Sequence, residues 1–129
     1  MHTSITTAPA ELMAAAARFA DDVVAPHAAL WERERRIGRE ALSVAASIGL
    51  TRLEVPTDWG GLGLGFAAKV QIAELLAAAD FAFTMSWINT HNVAAKLARD
   101  ARPEVARRYV AGLVAGERLG CTALTEAGA

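Results

Sequence analysis

The chain is 129 residues long with a net charge of −1, and its acidic and basic side chains are mixed along the sequence. That length suits one domain, and the charge distribution excludes the basic footprint of a nucleic-acid binder. Hydrophobic residues make up 53% against 21% charged, which excludes a disordered chain.

Thirty residues are alanine, which favours helices and lets them approach closely. The N-terminus, Met1 to Thr7, lacks the basic start and apolar run of a secretory signal. A first helix is expected from about Ala8 to Val24, with Thr7 as N-cap and Pro9 in the first turn. Leu12, Ala16, Phe19, Ala20 and Val23 would share its inner face, and Pro26 would end or kink it. Residues 27–36 read either as a continuation of the helix or as an irregular crossing. Their arginines, Arg33, Arg35 and Arg36, with Arg39 beyond, are interleaved with Glu32, Glu34 and Glu40 and suit a solvated helix end.

A second helix is expected over Arg39–Ile48, with Ala41, Leu42, Ala45 and Ile48 inward and Gly49 as its cap. Pro56 and the glycines between Gly60 and Gly65 then rule out regular structure. Their spacing is neither G-x-G-x-x-G nor a P-loop, so a tight helix-to-helix crossing is expected. A third helix, Phe66 to about Ala79, is apolar nearly all round and so should be buried by several neighbours. Lys69, Gln71 and Glu74 make it too polar, and its length too short, for a membrane span. Asp80 can cap a fourth helix from Phe81 to about Leu97, in which Trp87, like Trp31 before it, reads as a core or interface residue. Pro103 opens a fifth, to about Ala115, with Val105, Tyr109, Val110 and Leu113 inward and Gly116 as its stop. An apolar strand should follow. An isolated strand needs sheet partners, so a sheet domain is expected after Ala129 or from another chain. The one cysteine, Cys121, allows no intrachain disulfide and reads as a buried, inert thiol in a reducing, cytoplasmic setting.

Three blocks carry a resemblance. The ending Leu119 to Ala129 is an apolar strand running into Thr125-Glu126-Ala127-Gly128-Ala129. It resembles the flavin-contacting Thr-Glu-Pro-x-Ala-Gly-Ser-Asp segment of the acyl-CoA dehydrogenase family, with Ala127 in place of Pro. Ile48-Gly49-Leu50, Val55-Pro56 and Trp59-Gly60-Gly61-x-Gly63-Leu64 resemble that family's Gly-Leu, Pro-x-x-Tyr-Gly-Gly and Gly-Leu at the same spacings. Tyr109 to Glu117 resembles its Tyr-Leu-Pro-x-Leu-x-x-Gly-Glu, with Ala111 for Pro. The blocks occur in the family's order.

The resemblance implies an all-α fold of about five packed helices, residues 1–117, ending in the first strand and incomplete turn of a middle β-barrel domain, residues 118–129. It implies FAD as cofactor, α,β-dehydrogenation of an acyl-CoA thioester, an electron-transfer flavoprotein or another acceptor, and a homo-oligomer. In the family's arrangement Leu124 and Thr125 offer backbone N–H groups to the flavin's pyrimidine edge, Thr125 adds its hydroxyl, Thr122 faces the same side, and Gly128 begins the turn. Ala129 and His91 are the substrate-side candidates. The bland alternative for His91 is a partly buried helix histidine making local hydrogen bonds. No residue here is assigned as the catalytic base, and no metal ligands are expected. A related flavin-dependent monooxygenase and a non-catalytic helical interaction module are the alternative readings.

Overall fold

The computed structural model describes residues 8–128. The expected cap Thr7 and the candidate Ala129 lie outside the described residues. The architecture is all-helical, with five helical rods among those residues. The first rod is continuous from Ala10 to Glu34: α1 (Ala10–Phe19), a π turn (Ala20–Val24) and α2 (Ala25–Glu34). Then follow α3 (Arg39–Ser47), α4 (Phe66–Ala79), α5 (Phe81–Asp100) and α6 (Pro103–Val114).

Pro26 therefore does not end the first helix. The π turn just ahead of it closes an i→i−5 hydrogen bond from the Ala25 N–H to the Ala20 carbonyl. The proline then sits in the first turn of α2, where its missing N–H and fixed φ are tolerated. The inserted residue also shifts the helix phase. Ala16, Phe19 and Ala20 are buried as expected, but Val24 rather than Val23 completes the stripe, with no exposed surface at all. The rod ends at Arg35, the one described non-glycine residue with positive φ (51°). The basic residues around this end are exposed, as a solvated helix terminus requires.

The main core is built on aromatic contacts. Phe83 of α5 packs against Phe19 at 5.6 Å and stacks on Trp31 at 5.8 Å between ring centroids. Leu42, Leu50, Leu53, Ile72, Leu76 and Trp87 fill the space around them. Trp87 is fully buried, and its indole N–H donates to the Leu50 carbonyl at 2.9 Å, which satisfies its one polar atom. A second cluster joins α5 to α6. There Ala94, Ala95 and Ala106 meet Val55, Val110 and Leu113, the small side chains permitting close helix–helix approach. α4 and α5 form a hairpin whose junction is capped as expected: Asp80 Oδ1 accepts from the Phe83 N–H at 2.5 Å.

Residues 50–65 form a folded connection rather than a free loop. Leu62, Gly63 and Leu64 donate their N–H groups to the carbonyls of Arg52, Val55 and Leu53 at 2.9, 3.0 and 2.7 Å. The connection doubles back at Gly61, where a Cβ would lie 1.7 Å from the Val55 carbonyl oxygen, so only glycine fits. The expected helix-to-helix crossing is what this segment makes.

Candidate functional site

The site is built where the chain's last segment crosses α5. Gly116, with φ +72°, ends the turn after α6, and Arg39 donates to the Glu117 carbonyl at 2.7 Å. At Gly120 the backbone comes so close to α5 that a Cβ would stand 2.8 Å from Val93 Cβ and 3.1 Å from Thr90 Cα. The Gly120 N–H donates to Thr90 Oγ1 at 3.1 Å, and Thr90 in turn donates to the Ser86 carbonyl at 2.9 Å. One helical hydroxyl thus anchors the segment.

Beyond that anchor the chain is exposed and has no regular secondary structure through Glu126. The expected strand is not formed, because a β-ladder requires a neighbouring strand and the described residues supply none. For the same reason Cys121 is exposed rather than buried. Thr122, Leu124 and Thr125 are exposed together on this segment, Leu124 to 85%, and Gly128 has φ +86° in the turn after it. Among the described residues, no backbone hydrogen bond engages an N–H between Cys121 and Thr125.

The segment borders two cavities that share Val93 and Leu97 of α5. One, about 480 Å³, is lined by Arg39, Tyr109, Leu113, Arg118, Leu119 and Cys121. The other, about 290 Å³, lies between Thr122 and α5 residues Asn92, Val93, Lys96, Leu97 and Asp100. At its rim the Lys96 ammonium donates to Asp100 at 2.8 Å and holds that carboxyl below its ordinary value.

Beneath Asn92 is a buried polar cluster. Lys69 of α4, only 8% exposed, lies 2.5 Å from Glu54 Oε2 and donates to Asn92 Oδ1 at 3.0 Å. His91 is fully buried. Its Nε2 accepts from the Glu54 backbone N–H at 3.1 Å, so the ring proton of the neutral tautomer is on Nδ1. Nδ1 faces Asn92 Oδ1 at 3.4 Å and Glu54 Oε2 at 4.0 Å. Burial in the protein is the main cause that pushes the His91 pKa down to about 4; the Asn92 hydrogen bond opposes it and the Lys69 charge reinforces it. Arg99 donates to the Glu54 carbonyl at 2.8 Å and closes the cluster from outside. His91 thus makes a local bond to Asn92 and, through its long-range bond to the Glu54 N–H, holds the 50–65 connection against α5.

Thr122 is brought against α5, whereas Leu124, Thr125 and Gly128 stand clear of it, and His91 lies within the protein rather than among the lining residues of either cavity. The sequence reasoning missed Asn92, Lys69 and Glu54. Their only sequence signal was a lysine in a largely apolar helix, which marks a charge in need of a partner.

The sequence model of the family described as "Acyl-CoA dehydrogenase, N-terminal domain" matches residues 6–117. The chain is 33% identical over 111 residues to the mitochondrial isobutyryl-CoA dehydrogenase of Dictyostelium discoideum, covering 85% of this chain and 26% of that protein. It is 41% identical over 61 residues to the (2S)-methylsuccinyl-CoA dehydrogenase of Cereibacter sphaeroides, covering 46% of this chain and 11% of that one. The chain thus spans about a quarter or less of the length of these relatives. Among solved structures, its fold superposes on a chain reported for the electron transferring flavoprotein of Acidaminococcus fermentans with TM-score 0.76 at 19% identity, over 84% of this chain and 29% of that one. It superposes on PigA with FAD and proline with TM-score 0.75 at 23% identity, over 91% and 31% of the two chains.

Proposed function

The chain belongs to the acyl-CoA dehydrogenase family, which it matches through the N-terminal domain, and from that premise we propose that it is the helical part of an FAD-dependent oxidoreductase. The proposed reaction is α,β-dehydrogenation of an acyl-CoA thioester. The relatives compared above are named for branched acyl-CoAs, so a short branched acyl-CoA is the substrate class assigned.

The single observation that supports the site is the terminal segment. It is pinned at Gly120 and then presents Thr122, Leu124 and Thr125 with backbone N–H groups that make no backbone hydrogen bonds among the described residues. That donor set fits the pyrimidine edge of a flavin, whose ring nitrogens and carbonyls need such partners. Bound FAD would supply the hydride acceptor. The chain's own part is to bind and orient: Leu124 and Thr125 donate N–H groups, Thr125 adds its hydroxyl, and Gly128 turns the chain away. Donors at that edge also favour negative charge on the reduced ring. The 1–117 helical unit walls one side of the site, and residues 118–129 enter a β domain. His91 acts on the substrate side only through the connection it holds. The base that takes the α-proton is assigned to no residue of this chain, Ala129 is kept as a substrate-side candidate, and the working protein is a homo-oligomer that passes electrons to an electron-transfer flavoprotein or another acceptor. A cytoplasmic setting is part of the same proposal; no described helix is long and apolar enough to cross a membrane.

The test is anaerobic addition of isobutyryl-CoA to the FAD-loaded protein. Bleaching of the oxidised flavin band supports the dehydrogenase. A flavin indifferent to acyl-CoA but reactive with oxygen once reduced would point to a monooxygenase of the same fold, and a protein that retains no flavin to a helical interaction module. Thr125→Val should weaken flavin retention roughly three- to ten-fold, the effect of one lost hydrogen bond.

A further inference from the structure

We infer that Asn92 is a further flavin-binding residue, an amide donor aimed into the cavity beside Thr122 by the buried ion pair beneath it. The inference rests on the reading of residues 122–125 given above and adds a contact from the opposite wall.

The argument begins with Lys69. An ammonium only donates, so the Asn92 atom 3.0 Å from Nζ must be the carbonyl oxygen. This removes the usual ambiguity between the two ends of an asparagine amide. His91 makes the same demand. Its Nε2 is occupied in accepting the Glu54 N–H, so its Nδ1 is the protonated atom, and that proton also faces Asn92 Oδ1 at 3.4 Å. Two donors from within the protein converge on one oxygen, and the amide's NH₂ is thereby turned away from the cluster. Glu54 holds Lys69 in place at 2.5 Å, and Arg99 ties down the Glu54 carbonyl, so the orientation is built in rather than induced.

Asn92 is itself exposed and lines the 290 Å³ cavity together with Thr122, Val93 and Leu97. No acceptor among the described residues takes up its Nδ2. The walls around it are largely apolar, and the two charges at the rim, Lys96 and Asp100, neutralise each other. An oriented neutral donor in an apolar wall, opposite a threonine, selects a flat group with carbonyl or ring-nitrogen acceptors over a charged one. A flavin ring has that chemistry.

The test uses the whole 129-residue chain and riboflavin as the probe, followed by amide chemical shifts in the nitrogen–proton spectrum. Riboflavin should shift the side-chain NH₂ of Asn92 together with the backbone amides of Thr122 to Thr125. Asn92→Asp keeps an oxygen toward Lys69 but removes the donor, and should weaken riboflavin roughly three- to ten-fold while Leu62, Gly63 and Leu64 keep their shifts. Should the aspartate disturb those amides, Asn92→Ala gives the same readout without the added charge. If riboflavin shifts residues 122–125 and both variants bind it as the parent does, the inference about Asn92 is overturned and the flavin reading stands. If riboflavin shifts nothing, both fall.

Discussion

Gly61 and His91 show how much one side chain decides here. Gly61→Ala would place a methyl carbon 1.7 Å from the Val55 carbonyl, so the turn must open, at an expected cost of about 2–4 kcal/mol. Gly65→Ala meets nothing within 4 Å and its φ is not positive, so denaturant melts should show it within about 0.5 kcal/mol of the parent. For His91, the folded pKa of about 4 lies below the ordinary 6.5. The folded state therefore binds fewer protons than the unfolded one between those values. The contribution is whole above pH 6.5 and falls by about 3 kcal/mol as the pH drops to 4. Urea melts at pH 8 and pH 4 should show this difference, and His91→Gln should remove most of it while still accepting the Glu54 N–H. The groups around the ring are Glu54, Asn92, Lys69 and Arg99. Sequence alone left His91 between a pocket residue and a helix residue, because helix spacing does not say which distant backbone N–H a side chain will meet.

At the scale of elements, the boundaries of α3, α4 and α6 were legible, since caps and breakers are local signals. Asp80→Ala should test one of them: loss of the Phe83 N–H cap costs about 1 kcal/mol by thermal or urea melting. The first rod was less legible. Pro26 normally signals a stop, and a π turn that absorbs it is a response to packing that leaves no pattern in the sequence. The same insertion exchanged Val23 for Val24 in the core. The Glu54–Lys69 pair links the 50–65 connection to α4 and acts between elements. Lys69→Met alone would leave the largely enclosed Glu54 carboxylate without its partner and should cost about 2–4 kcal/mol. The double variant Glu54→Gln with Lys69→Met should recover much of that loss, which a double-mutant cycle reads directly.

For the molecule as a whole, the helical core and the terminal segment should behave as separate units. The core buries Phe19, Trp31, Phe83 and Trp87, whereas residues 121–128 are exposed. Amides of residues 121–126 should exchange with solvent at close to the unfolded rate, while the Gly120 amide is protected by Thr90. Gly120→Ala, with its methyl carbon 2.8 Å from Val93 Cβ, should abolish that protection and leave the global unfolding midpoint nearly unchanged. A lost midpoint would instead make the crossing at Gly120 part of the core.

What the sequence by itself determined is the helical fold, its punctuation and the family, since helix period, caps, glycine stops and ordered motifs are all encoded within short windows. The tertiary structure alone decided which polar groups meet in one cluster. Glu54, Lys69, His91 and Asn92 come from a connection and two helices, and no local pattern couples them. A buried charge takes its partner from whatever the packing brings within a few ångströms, and that proximity exists only once the chain has folded.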